Sequence, residues 1–433
     1  MIRFNKAPDT NIKMSAHQAV FPKTLTFILV LALPGWASAA QPEDALNFAV
    51  GAALRYEDNL FRLDDDTDPR QVAGKSQRND LITTTNIGIK FDKEYSQQRF
   101  QLDLMAIKND YKNYDYLDFT AKNYRAAWLW HLTPDISGTL LIDRQQTLNN
   151  FADFRNFTND LQTQQSIQTN EIRSFTADWR VGGGVHLLGG VSEIRSRNST
   201  AFNAVGDYVQ RGAEAGIKYI ARSENSIALV HRESDGEYEG RELNAINQFN
   251  QFDTGFKQSE TELQLLARLS GKSTIDARLG YLDREHDNFT SRDYDGFVGQ
   301  AAYIWQPTGK LRVTTSLSRS MSTFQQLYNS YLVSDTFAIS PSWQWSAKTT
   351  FRARYSYSER DYRGALPGSL VFVPEGEERE DKVNGLTLEA LWQATRTILV
   401  TGTLQHERRS SNFDSFALDY EANSVGISGQ LLF

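Results

Sequence analysis

The chain contains no cysteine. No disulfide framework can therefore hold it together, and stability must come from burial and backbone pairing. Beyond residue 40 no apolar run is long enough to cross a bilayer as a helix. Basic residues are not in excess: the formal charge is −7, which does not suggest a nucleic-acid binder. There are only six histidines, and none stands in H-E-x-x-H or another tight metal spacing. G-x-S-x-G is absent as well. What the chain does have is rings. Aromatics make up 12% of it against a mean hydropathy of −0.50. A polar average with so many rings suits strands with one apolar face better than a large solid core.

The first residues carry an address. Lys23 precedes the apolar run Leu25–Leu33, Pro34 and Gly35 break it, and Ala37-Ser38-Ala39 follows as an A-x-A cleavage site. This is the layout of a secretory signal peptide, too short to span a membrane. The expectation is a cleaved signal over 1–39, with Met14 as an alternative start, and an exported domain over 40–433.

Period-two alternation begins at once. Leu46, Phe48, Val50, Ala52, Leu54 and Tyr56 share one face, and Asn47, Ala49, Gly51, Ala53 and Arg55 the other. Such alternation predicts strands. They fall near 46–56, 81–91, 98–108, 123–132, 136–145, 172–182, 188–196, 209–220, 226–233, 257–269, 273–283, 294–305, 310–319, 333–345, 349–359, 383–393, 397–406 and 421–433, about 18 in all. The hairpin at 182–190, rich in glycine, is the one that would reduce the count to 16 if misread.

Connections alternate too. Short ones, such as Thr133-Pro134-Asp135 and Ser270-Gly271-Lys272, take turns with long polar stretches, such as 57–80, 146–171 and 234–256. Short turns on one rim and long loops on the other mark a transmembrane barrel. Trp128, Trp130, Trp179, Trp305, Trp343, Trp345 and Trp392 all lie near short turns on the apolar face. They would form a belt at the membrane–water interface. The predicted fold is thus all-β: a transmembrane up-and-down antiparallel barrel with short periplasmic turns and long extracellular loops, set in the outer membrane. In its last strand Ile427, Leu431 and Phe433 face lipid, pairing with the first strand closes the barrel, and Phe433 serves as an assembly signal.

Several stretches point to a family. "RYEDNLFRL" (Arg55–Leu63), "YSQQRFQLDL" (Tyr95–Leu104), "YDYLDFTAKNYRAAWLWHLTP" (Tyr114–Pro134), "GTLLIDRQQTLNNFAD" (Gly138–Asp153) and "ADWRVGGGVHLLGGVSEIRSRNS" (Ala177–Ser199) resemble the EpsL-type outer-membrane proteins of exopolysaccharide biosynthesis operons. The resemblance runs over most of the exported chain and is densest in its first half. It implies a barrel connected with polysaccharide synthesis or export. It carries no catalytic motif, so it assigns no active-site residue.

The lumen face is where function is expected. Its cations are Arg55, Lys90, Arg125, Arg180, Lys218, Arg268, Arg278, Arg312, Arg352 and Arg354; its acids are Asp103, Asp143, Asp178, Glu214, Glu262, Asp276 and Glu389. Pairs two residues apart, Asp178/Arg180 and Asp276/Arg278, suggest ion pairs along one strand. They read either as a ladder that stiffens the wall or as guanidinium groups for a carboxylated polymer. Rings crowd two loops: Tyr111, Tyr114, Tyr116 and Phe119, then Phe151, Phe154 and Phe157. They suit stacking on sugars or packing of a loop on itself. If loop 146–171 folds inward, Phe151, Phe154 and Phe157 line the narrowest section, with Arg125 and Arg180 nearby. In "EDNLF", Asn59 is read as a turn residue and Phe61 as a ring tucked into the rim, with contact to passing substrate as the alternative. Asp64-Asp65-Asp66-Thr67-Asp68 resembles half a calcium loop, but Pro69 and Lys75 stand where the pattern wants Gly and Glu, so a solvated acidic loop is the expectation.

The leading expectation is a passive export porin for an exopolysaccharide, not an enzyme and without a cofactor or metal. The alternatives are a general or sugar-selective diffusion porin, or a structural or receptor barrel. Expected partners are the bilayer and its lipopolysaccharide, the barrel-assembly machinery, polysaccharide and periplasmic export proteins, with no nucleic acid.

Overall fold

A computed structural model describes residues 45–153, 163–200, 206–241, 253–323, 329–364, 378–413 and 417–433. The signal segment, Phe154 and Phe157 lie outside the described residues. Eighteen antiparallel strands form one sheet. In chain order they are β1 (Leu46–Glu57), β2 (Asp80–Tyr95), β3 (Gln98–Tyr111), β4 (Phe119–Thr133), β5 (Ile136–Leu148), β6 (Ile167–Gly182), β7 (Val185–Asn198), β8 (Tyr208–Ile220) and β9 (Ser226–Tyr238). Then follow β10 (Gly255–Ser270), β11 (Ser273–His286), β12 (Tyr294–Trp305), β13 (Leu311–Thr323), β14 (Tyr331–Gln344), β15 (Thr349–Arg363), β16 (Arg379–Gln393), β17 (Ile398–Ser411) and β18 (Tyr420–Leu432). A five-residue helix, α1 (Pro69–Ala73), sits in the first long loop.

Each strand pairs with its sequence neighbours, and β1 pairs with β18 from Ala49↔Leu432 to Glu57↔Ser424. The ring is closed, so no strand edge is left without partners in lipid. The terminal residue completes it. Phe433 N–H donates to the Phe48 carbonyl (3.0 Å), Phe48 N–H to the Phe433 carbonyl (2.7 Å), and the two rings lie 6.1 Å apart.

The outward face is apolar and exposed: Val50, Leu54, Ile87, Leu279, Phe297, Leu317 and Ile427 all stand free of protein contacts over much of their surface. A band of this extent is a lipid-facing surface. Six of the seven predicted belt tryptophans are exposed beside the short turns, and Trp130 stacks on Phe175 at 5.4 Å. The glycine-rich hairpin is real. Gly182, Gly183 and Gly184 all have positive φ (119°, 61° and 84°), which lets β6 reverse into β7 at once.

Strands run past their predicted ends on the long-loop side. β15 reaches Arg363, β16 starts at Arg379 and β17 reaches Ser411. One ladder stops early. β12 and β13 pair only from Trp305↔Val313 to Gly299↔Arg319, whereas β13 and β14 stay paired to Thr323↔Tyr331. Above that point Met321 and Val333, on the lipid-facing parity, are buried against Leu282, Tyr294 and Val298, on the lumen parity of β11 and β12. The top of the β13–β14 hairpin therefore leans into the barrel.

Candidate functional site: a lumen crossed by its own loops

The first long loop packs inside the mouth. Asn59 builds its turn: its side chain accepts from Leu63 N–H (2.9 Å) and donates to the carbonyls of Leu63 (2.8 Å) and Glu421 (2.9 Å). Arg62 then takes a left-handed φ of 57°. This sends Phe61 inward, where it is fully buried edge-on to Tyr114 and Phe151, each ring 4.7 Å away. Leu60, Leu63, Ile82, Tyr111 and Leu117 complete the cluster. The acidic stretch behind it is a loop held by a cation of the chain itself. Arg78 donates to the carbonyls of Asp64 (2.9 Å), Asp65 (2.8 Å) and Thr67 (2.6 Å). Asp68 caps α1 through Arg70 N–H. A guanidinium thus organises the backbone of the acidic loop from within.

The described part of the loop between β5 and β6 folds inward, the condition left open by the sequence, and crosses to the far wall. Phe151 meets Phe61, Ala152 packs on Tyr420 and Ala422, and Asp153 accepts from Arg409 (2.9 Å) and Arg360 (3.4 Å). β5 and β15 lie eight strands apart by the shorter way round an 18-strand ring, close to a diameter. The anchor is buried. Arg409 is 1% exposed, donates to the Leu418 carbonyl (2.6 Å), lies over the Tyr420 ring and stands 3.8 Å from Asp381. Asp381 in turn binds Arg379, whose guanidinium lies 3.8 Å from the Tyr362 ring centre. From another side the inward β13–β14 hairpin is tied down. Arg284 donates to Thr323 (2.8 Å) and Arg292 to Ser330 (3.0 Å).

The predicted lumen residues sort by height. Arg125 faces Asp143 at 3.8 Å, and Arg352 faces Glu389 at 4.0 Å. Arg354 donates to the Ser340 hydroxyl (3.3 Å). Arg180 does not reach the constriction; it binds Asp135 in a short turn (2.7 Å) at the opposite rim. Residues two apart on one strand do pair elsewhere, as in Arg55–Glu57 (3.1 Å) and Arg379–Asp381, but not at the two places named from the sequence. Asp178 is held by His186 (2.5 Å) and Lys218 on the next two strands, and no ion pair joins Asp276 to Arg278 among the described residues. His186 is the diagonal neighbour of Asp178, and Lys218 stands directly opposite His186; directly opposed residues on neighbouring strands sit about 5 Å apart. The same rule builds a triplet that sequence reading did not assemble: Arg232 between Glu214 (2.6 Å) and Glu260 (3.1 Å).

The remaining wall is of another kind. β13, β14 and β15 turn hydroxyls inward, with Ser334 and Thr336 bonded to Ser358 at 3.0 and 2.8 Å. Asp153, Arg360, Arg379, Asp381 and Arg409, the anchor itself, were not foreseen. Inward parity could have found the four strand residues had the strands been extended by a few residues, but Asp153 lies in the loop beyond β5.

Residues 261–431 match a family model described as "Putative beta-barrel porin 2", under half of the chain. No curated protein matches it. Among solved structures the chain is similar to the outer membrane protein OpdK of Pseudomonas aeruginosa (14% identity, 90% of this chain, 99% of that one, TM-score 0.47). It is also similar to OccK2 (OpdF) of the same organism in complex with glucuronate (13%, 90%, 98%, 0.48) and to a BenF-like porin from Pseudomonas fluorescens Pf-5 (12%, 90%, 99%, 0.47). At these scores the architecture rests on the strand ladder itself: a closed 18-strand transmembrane barrel of the outer-membrane type.

Proposed function

We propose that the protein is an outer-membrane diffusion channel for small polar, sugar-like solutes. The observation that carries this reading is the loop bound across the lumen through Asp153, Arg360 and Arg409. An 18-strand barrel is wide enough for an aqueous channel. A loop segment fixed across it at Asp153 leaves room for small solutes past a wall of hydroxyls and charges, and obstructs a threaded polymer. Hydroxyl rows and spaced guanidiniums offer weak, repeated contacts, tight enough to enter and loose enough to leave. The match of part of the chain to a porin family supports the same class. In this reading the chain reaches the outer membrane through a cleaved signal over 1–39 and is inserted by the barrel-assembly machinery, and it catalyses nothing.

Exopolysaccharide export, which the EpsL-type resemblance implies, requires the loop to swing aside. The test is transport by size. Proteoliposomes holding the barrel should swell in mono- and disaccharides and stay closed to a long polysaccharide. Passage of the polymer, together with loss of secreted polymer on gene deletion, would establish export instead. A barrel that conducts no ions would leave the receptor reading.

A further inference from the structure

The outer wall carries a charged ladder that transport does not use. On β5 to β8, just above the lipid-facing residues Ile142, Phe175, Val191 and Ala213, four arginines share two glutamates. Glu171 lies between Arg144 (3.3 Å) and Arg173 (3.4 Å). Glu193 touches Arg173 (3.4 Å), Arg195 (4.0 Å) and Arg211 (2.9 Å). The parity that exposes Phe175, Leu187 and Ile217 to lipid also turns these six outward. Two cations are left in excess, and Arg173 and Arg211 expose 51% and 61% of their side chains.

The ladder also sits at a boundary. Arg173 is six residues above belt residue Trp179. At ~3.3 Å per residue and a tilt near 40° that is roughly 15 Å, the height at which the outward face of these strands turns from apolar to charged. The guanidiniums thus lie at the upper edge of the apolar face, where Arg173 and Arg211 keep half or more of their side chains open beyond their glutamate partners. The neighbouring flank is opposite in sign: Glu233, Asp235, Asp283, Glu285 and Asp295 point outward on β9 to β12. The cationic excess is therefore local to one side of the barrel.

We propose that this ladder is a docking site for a phosphorylated glycolipid of the outer leaflet, with Arg144, Arg173, Arg195 and Arg211 gripping the phosphates of a lipopolysaccharide head group. Its acyl chains would lie on the apolar strip below. Planar guanidinium forks match phosphate oxygens, and the glutamates hold the forks apart in register. The position at the lipid boundary favours this occupant over a soluble anion.

The test uses the full-length barrel in nanodiscs, titrated with purified lipopolysaccharide and with the same glycolipid after removal of its phosphates. Wild type should bind the phosphorylated form and lose roughly tenfold in affinity for each guanidinium whose charged hydrogen bonds are removed. R173Q/R211Q should lose most of the binding, while R319Q, whose side chain pairs with Asp335 on the other flank, should keep it. Heat-modifiable migration checks that each variant is folded. Equal binding of the dephosphorylated glycolipid by wild type would overturn the proposal, whatever the variants do. So would unchanged binding by folded R173Q/R211Q. So would dimers, in which the basic ladder meets the acidic flank of a second copy, that form equally well without the glycolipid.

Discussion

The two ends of this barrel obey different rules. At the short-turn end the outward face is aromatic and apolar, the inward face is polar, and the alternation is nearly unbroken from Trp128 to Phe433. At the long-loop end both faces of the strands are polar or packed. There Arg379, Asp381 and Arg409 are buried in the lumen, while Arg319 and Asp335 pair in the open outside. The first end is held by lipid. The second is held by its own loops, through rings such as Phe61 and charges such as Asp153.

Breaking the lipid-held end should have the largest effect. Deleting Phe433, or replacing it with Asp, removes the ring on Phe48 and puts a charge in the belt. The lost aromatic burial alone is worth about 1.5–3 kcal/mol. The closing strand also loses its final lock, so we expect most of the heat-modifiable barrel to disappear from outer-membrane fractions. Undiminished levels would show that the last ring is dispensable.

At the other end, Asp153→Ala should cut the loop free from Arg360 and Arg409. Arg409 is fully buried, so the loss leaves a guanidinium with weaker compensation, at a cost of about 1–3 kcal/mol. Single-channel conductance in a planar bilayer should rise while barrel abundance stays near wild type. Phe61→Ala acts on the same plug from the apolar side and should cost about 3 kcal/mol in the unfolding free energy, with a smaller rise in conductance. A fall in conductance for either variant would mean that the loops hold the channel open.

Between the ends lie lumen arginines whose role is electrostatic. Arg278→Glu with Arg354→Glu should lower any anion preference in reversal-potential measurements. The effect should fade as salt shortens the screening length below ~8–10 Å.

This division also explains what the sequence could disclose. Every strand between Leu46 and Phe433 was legible because lipid and water on opposite faces impose a period of two. The closing pair and the belt followed from the same contrast. That contrast ends above the bilayer. Arg360, Arg379 and Arg409 sit on strands that continue there, yet nothing in their neighbours' polarity reveals the strand. The inward loop was legible as a length and a run of rings, and Phe61 as a tucked ring, but not the partner of Asp153, which lies more than two hundred residues away. Arg180 was misplaced because parity gives the face of a residue and not its height. The inward tilt of the β13–β14 hairpin was hidden for a related reason: Met321 and Val333 keep the outward parity and only packing shows that it has been turned in.

The smallest effect expected is one of pH, at a loop carboxylate. Asp253, just before β10, is fully buried. Burial opposes its charge, but the Asn288 side chain (2.9 Å) and the backbone N–H groups of Asn288 (3.1 Å) and Phe289 (2.8 Å) donate to it and hold its carboxyl below the usual carboxylate range. A lowered folded value means the charged form is the one the fold prefers. Its contribution to stability is therefore complete above the ordinary aspartate value near 4, and it is lost as pH falls through the lower folded value. Amide exchange at Asn288 and Phe289, corrected for intrinsic rates, should be slow at neutral pH and speed up only below about pH 4. Asp253→Asn should show faster exchange at every pH, because an amide can accept from only one of its two polar atoms. If wild-type protection is already lost at pH 6, another group holds this loop and the carboxylate is a bystander.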